Sequence, residues 1–155
     1  YDERHILLES ANLDADGNLC TDGNGVARMV HKLDSHGNVT EEAYYGVDGK
    51  PCIAKDKGVA GARFQYDERG NMVEKVCFGV DGQPSWRAGG YSQVRKKYDA
   101  QGREIEMEYF APDGAPCRSD EGFSRRVSTY NEKGELEKST LYDENGGEIQ
   151  APPAN

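Results

Sequence analysis

Apolar and polar positions alternate along short runs of this chain, and Asp, Asn and Gly break the runs at regular intervals. Residues 59–66 and 71–78 alternate in this way on either side of Asp67-Glu68-Arg69-Gly70, which reads as two strands joined by a tight turn. The Asp carboxylate can accept hydrogen bonds from the turn backbone, and Gly takes a positive φ without steric cost. Gly37, Gly102 and Gly134 mark the same turn elsewhere, while His5 stands where the first such turn would carry its glycine. Helices are not expected, because the segments between glycines are too short and β-formers dominate them.

The pattern has a period. Units open at Tyr1, Leu33, Tyr66, Tyr98 and Tyr130, at spacings of 32, 33, 32 and 32 residues. A second turn follows in each, at Asp16-Gly17, Asp48-Gly49, Asp81-Gly82, Asp113-Gly114 and Asn145-Gly146. After it comes a looser stretch ending at Gly25, Gly58, Gly90 or Gly122. Beyond that glycine stand Val26, Val59, Tyr91 or Phe123 and then a small residue, Ala27, Ala60, Ser92 or Ser124. The expected architecture is all-β: tandem antiparallel hairpins of about 32 residues forming an elongated or spiral sheet, a solenoid-like array. Its units would be 1–32, 33–65, 66–97 and 98–129, with a partial unit at 130–150 and a tail at 151–155. The start on a unit boundary without methionine suggests a piece of a longer protein.

Stacking such units sets like residues in columns. One holds Leu13, Tyr45, Phe78, Phe110 and Tyr142, and another Leu33, Tyr66, Tyr98 and Tyr130. A lone hairpin cannot bury its apolar face, so most of these side chains are expected to serve cohesion between units. Glu9, Glu41, Glu74 and Glu106 form a charged column, expected to pair with Lys32, Arg63, Arg95 and Lys97 of the preceding strand.

Composition supports a thin structure over a thick globule: 35% of the residues are hydrophobic, 30% are charged and 19 are glycine. Disorder is disfavoured by nine tyrosines, four phenylalanines and a tryptophan, many at fixed spacing. A formal net charge of −9 would repel phosphate backbones, so nucleic acid is not an expected partner. No apolar run reaches the roughly 18 residues of a spanning helix.

Candidate chemistry is sparse. Cys20, Cys52 and Cys117 share one position in the units, with Ser85 in the fourth, and Cys77 falls in a column otherwise held by Tyr44, Tyr109 and Leu141. No CxxC pair suggests zinc. A Cys20–Cys52 bridge is geometrically allowed, but unpaired thiols are expected, which favours the cytoplasm over export. His5, His31 and His36 occupy the first two units without an evident nucleophile to serve. Asp14-Ala15-Asp16-Gly17-Asn18 matches the first half of a calcium loop and lacks its twelfth-position acid, so a turn is expected and no metal or cofactor. Trp86 in a loop, with Tyr44 and Tyr109, forms the set of candidate binding aromatics.

At YDERGN and YDAQGR the chain resembles the YD repeats of the RHS family, and its strand–turn–strand rhythm is similar to MORN-type hairpin repeats. The resemblance implies an extended β structure attached to other domains, and it brings no catalytic residues. The expected function is a non-catalytic module offering a protein-interaction or scaffold surface to a protein partner or to other domains of its own polypeptide. The alternative is a carbohydrate or cell-surface binding domain that uses exposed aromatics.

Overall fold

The computed structural model describes residues 5–150. Ten strands form one open antiparallel sheet, in which spatial order follows chain order from β1 to β10, and no helix occurs among the described residues. The strands are β1 (Ile6–Ala11), β2 (Arg28–Leu33), β3 (Val39–Tyr45), β4 (Gly61–Tyr66), β5 (Met72–Phe78), β6 (Gln93–Tyr98), β7 (Glu104–Phe110), β8 (Arg125–Tyr130), β9 (Leu136–Tyr142) and β10 (Glu148–Ile149). Each strand touches only its neighbours in sequence. The expected opening turn around Tyr1 and the tail 151–155 lie outside the described residues.

Tight turns join β2 to β3, β4 to β5, β6 to β7 and β8 to β9. The Asp67 amide donates to the Asn71 carbonyl and the Gly70 amide to the Asp67 carbonyl, while Gly70 has φ of 83°. Asp67 Oδ1 accepts from the amides of Arg69 and Asn71. A type I turn closed by a left-handed glycine results, and Asp34, Asp99 and Asn131 build it in the same way. In each hairpin the register shifts just before the last residue of the outgoing strand, between Lys32 and Leu33, Gln65 and Tyr66, Lys97 and Tyr98, and Thr129 and Tyr130.

The looser stretch expected between hairpins is ordered. Its first turn returns the chain so that Pro51, Pro84 and Pro116 bridge Tyr45, Phe78 and Phe110. A third turn then closes with Asp22 amide to Val26 carbonyl, Arg87 to Tyr91 and Ser119 to Phe123. Between Ala54 and Val59 this turn is one residue longer, which accounts for the single 33-residue spacing. Successive loops bond to one another: the Lys55 amide donates to the Asn24 carbonyl, Ala88 to Lys57 and Asp120 to Gly89.

These loops supply the core. They cover the loop-proximal half of one sheet face, where Val26 and Ala54 pack with Tyr44, Val59 with Ala62 and Cys77, and Phe123 with Val94, Met107 and Tyr109. The small-residue column explains itself here. Ala27, Ala60, Ser92 and Ser124 are fully buried. Their amides donate to Tyr45, Phe78, Phe110 and Tyr142, and their carbonyls accept from Asn12, Tyr44, Cys77 and Tyr109 on the preceding return strand. Three chain segments meet at this column, leaving no room for a large side chain.

Candidate functional site

On the sheet face opposite Tyr44 and Tyr109, an arginine lies over every aromatic of the Tyr45 column. Arg28 covers Tyr45, Arg63 Phe78, Arg95 Phe110 and Arg125 Tyr142, with guanidinium carbons 4.3–4.7 Å from the ring centroids. The arginine comes from either of two positions. Arg28 and Arg125 sit opposite the aromatic in register. In the middle hairpins that place belongs to Gly61 and Gln93, and the arginine follows two residues on. A Cβ on Gly61 would collide with the Glu42 carbonyl oxygen and the Phe78 ring, so the ring occupies the space a side chain would need.

The same arginines reach back to the glutamate column: Arg28 to Glu9, Arg63 to Glu41 at 3.2 Å, Arg95 to Glu74 at 3.1 Å and Arg125 to Glu106 at 3.9 Å. Lys32 and Lys97 meet Glu41 and Glu106 from the preceding strand, at 3.2 and 3.1 Å. The expectation that Arg63 and Arg95 would also come from the preceding strand is corrected: both lie on the following strand, because the glutamates pair across to it as well, Glu41 with Arg63 and Glu74 with Arg95. The result is a half-exposed ladder of alternating charge over stacked aromatics. On the other face, Glu104 joins Lys96 and Arg126, each at 2.8 Å. Burial opposes ionisation of Glu104, yet these two cations outweigh it and hold its carboxyl below the ordinary range.

The three candidate binding aromatics part company. Trp86 is 52% exposed in its loop. Tyr44 is 1% exposed and Tyr109 6%, because the loops fold back over them. Tyr44 donates to Glu42 and accepts from Lys57 Nζ at 2.7 Å; burial and then the Glu42 hydrogen bond push its hydroxyl pKa well up. Tyr109 stacks with Tyr91, the ring centroids 4.6 Å apart, and bonds Glu121 at 3.2 Å. Burial and the Glu121 charge raise its pKa in the same direction. Both tyrosines therefore stay neutral hydrogen-bonding members of the core.

The surface carries several shallow concavities, two of which bear on the candidate residues. A groove of about 700 Å³ runs between the tips of the β2–β3 and β4–β5 hairpins, lined among others by His36, Thr40, Phe64, Tyr66 and Arg69. It exists because β3 and β4 pair only through Glu41, Glu42 and Ala43 and splay apart beyond them. A smaller cleft of about 330 Å³ lies beside Arg87, Tyr91, Tyr109 and Asp120. Arg87 Nη1 donates there to the Tyr91 hydroxyl at 2.7 Å, while its buried Nε has no partner.

Asp14 Oδ1 accepts from the amides of Asp16 and Asn18, as the turn aspartates do elsewhere. All four cysteines are free thiols; Cys52 and Cys117 point at the Gly25 and Gly90 carbonyls, and burial raises the Cys77 thiol pKa. Among the described residues no three His, Cys, Asp or Glu side chains converge as metal ligands, and no helix is long and apolar enough to cross a membrane.

Sequence reasoning missed the two-position arginine rule and the stacking of the loops. The first was open to reading, since Val30 and Val127 in the outer hairpins fill the place that Arg63 and Arg95 take in the middle ones, while Arg28 and Arg125 stand two residues earlier. No protein-family model matches this chain. No curated protein matches it either.

Proposed function

We propose that the chain is a tandem array of hairpin units of about 32 residues that acts as a non-catalytic surface for protein interaction or scaffolding. The observation that carries the reading is the sheet itself. Ten strands, each bound only to its sequence neighbours, extend over roughly 43 Å at about 4.8 Å per strand. One side of that length carries the ladder of glutamate, lysine and arginine. Equivalent bonds join equivalent residues from hairpin to hairpin: Tyr66, Tyr98 and Tyr130 each donate a hydroxyl hydrogen bond to the return strand of the preceding hairpin, at 2.7–2.8 Å. An array of this kind grows by adding units and gains surface faster than enclosed volume, which suits recognition of an extended partner. The likeness of YDERGN and YDAQGR to YD-type hairpins belongs to the same reading.

Carbohydrate binding is the second reading, and one feature favours it: Trp86 stands exposed next to the Arg87–Tyr91 cleft. Glycan-array binding and affinity capture with the intact chain separate the two. A protein partner captured reproducibly, lost on reversing the ladder charges (Glu41→Lys with Glu106→Lys) and accompanied by no glycan signal, supports the interaction surface. Glycan binding that disappears in Trp86→Ala overturns it in favour of the second reading.

A further inference from the structure

We infer that the ladder face binds an acidic, extended segment of a partner protein through the cations at its centre, with Arg63, Arg95 and Lys97 as the contact residues. The inference rests on the interaction reading above and names the chemistry of the partner. A chain of net charge −9 repels acidic molecules at long range, so the placement of its charges decides what it can hold in contact. Residues 1–32, 33–65, 66–97, 98–129 and 130–155 carry −3, −1, +2, −3 and −4. Only the central unit is positive, with six Lys and Arg against four Asp and Glu. Consecutive hairpins lie about 10 Å apart, beyond the screening length of about 8 Å at physiological salt. A partner seated on the central rungs therefore feels their charge and little of the acidic ends.

Within the ladder the cations are the accessible partners. Arg63 is 50% exposed and its Glu41 25%, Arg95 56% and its Glu74 22%, Lys97 68% and its Glu106 23%. Lys32 and Arg125 are likewise more exposed than the glutamates they meet. Glu41 and Glu106 are each shared by two cations as well. What these rungs offer to another molecule is guanidinium and ammonium, and the group that complements both is a carboxylate.

The arginines are also held in place before any partner arrives. Arg63 lies over Phe78 and Arg95 over Phe110, at 4.5 and 4.6 Å, and each gives its Nε to a glutamate, at 3.2 and 3.1 Å. A guanidinium has further donors on its two terminal nitrogens, which suit a second carboxylate; Arg63 spends one of them on the Gly82 carbonyl at 3.4 Å. A side chain fixed by a ring and an ion pair has less rotamer freedom to lose on binding. Arg63 lies on β4, and Arg95 and Lys97 lie on β6, two strands away. An extended chain, at about 3.3 Å per residue, crosses that span of about 10 Å in three to four residues.

The probe is hexaglutamate, capped at both ends, titrated at low salt into the intact isotope-labelled protein and followed by amide chemical shifts. Saturable shifts are expected on β4 and β6, weakening as salt is raised, and none with hexaglutamine. Arg63→Gln with Arg95→Gln should weaken binding about two- to thirtyfold, the worth of two exposed ion pairs, and circular dichroism should show this variant folded because both side chains are half exposed. Lys97→Gln, at the most exposed of the three, should weaken it about two- to fivefold, while Lys133→Gln in the β8–β9 turn should change nothing. No saturable shift in the folded protein, shifts confined to other strands, or an affinity unchanged in both variants overturns the inference. Oligothymidylate that binds the same strands more tightly than hexaglutamate also overturns it, by making a phosphate polymer the occupant. Failure of the proposed function is a separate result. Glu41 and Glu106 hold the cations in their row, so a captured partner that is lost with Glu41→Lys and Glu106→Lys leaves that reading standing even where hexaglutamate fails.

Discussion

Replacing Tyr98 with phenylalanine removes one hydroxyl and nothing else, and the structure says what that hydroxyl does. It donates to the Met72 carbonyl on the preceding return strand at 2.8 Å, across the splay where the sheet's own ladder between β5 and β6 has stopped after Glu74, Lys75 and Val76. The register shift between Lys97 and Tyr98 is a bulge, and bulges re-aim the side chain beside them; here the tyrosine is turned toward the neighbouring hairpin. Burial raises the Tyr98 pKa, so the hydroxyl stays a donor at neutral pH. One such bond is worth about 0.5–1.5 kcal/mol net, and at this chain length 1 kcal/mol corresponds to about 2–4 °C in Tm. Tyr98→Phe should therefore lower the urea midpoint and Tm by those amounts. Urea melts of the two proteins, monitored by far-ultraviolet circular dichroism, measure the difference. If Tyr98→Phe costs clearly less than about 0.5 kcal/mol, the lower margin of such effects, the hydroxyls are not clamps between hairpins and the reasoning fails.

Gly61→Ala should cost about 1–3 kcal/mol, the usual range for overpacking, because its Cβ meets the Glu42 carbonyl and the Phe78 ring; no loss in a thermal melt would mean the ring is free to move. Ser124 Oγ is buried without a partner while Ala27 and Ala60 fill the same column, so Ser124→Ala should be neutral or stabilising by up to about 1 kcal/mol, and a clear loss in the melt would reveal a bond to that hydroxyl. The folded pKa of Tyr44 is raised above its unfolded value near 10, first by burial and then by Glu42. Its contribution is thus complete below about pH 10 and is lost as pH rises toward the folded value; urea melts from pH 8 to 11 should show stability falling, and Tyr44→Phe should flatten the fall. An unchanged slope in that variant would remove Tyr44 as the cause.

The turns were legible from the chain because their chemistry is local: an Asp or Asn that caps two amides and a glycine at positive φ fix each hairpin independently of what packs on it. The columns were legible for the same reason, since period and register follow from turn spacing. Tyr44 and Tyr109 were not. Their alternation places them on a sheet face but does not say whether that face is wet, and it is the third turn, folding back by way of Ala54, Val59 and Phe123, that dries it. The glutamate column was half legible. Its partners were named, but assigning Arg63 and Arg95 to a strand needs the pairing across the loops, which no local signal records. Trp86 lies between Pro84 and Arg87, which bridge Phe78 and Tyr91, and its side chain stays exposed.

On the proposed repeat reading, stability is a sum of units and of interfaces between neighbours. Deletion of residues 66–97 is the decisive test. The cut joins Gln65 to Tyr98, keeps the turn, the bulge and every column in phase, and lets β4 meet β7 as it now meets β5. A deletion of residues 66–81 is the control, since it joins strands out of register and turns apolar positions to the wrong side. Circular dichroism and thermal melts should find the in-phase deletion folded with a lower Tm and the control unfolded. If both unfold alike, contacts beyond nearest neighbours hold the protein together and the array is not modular.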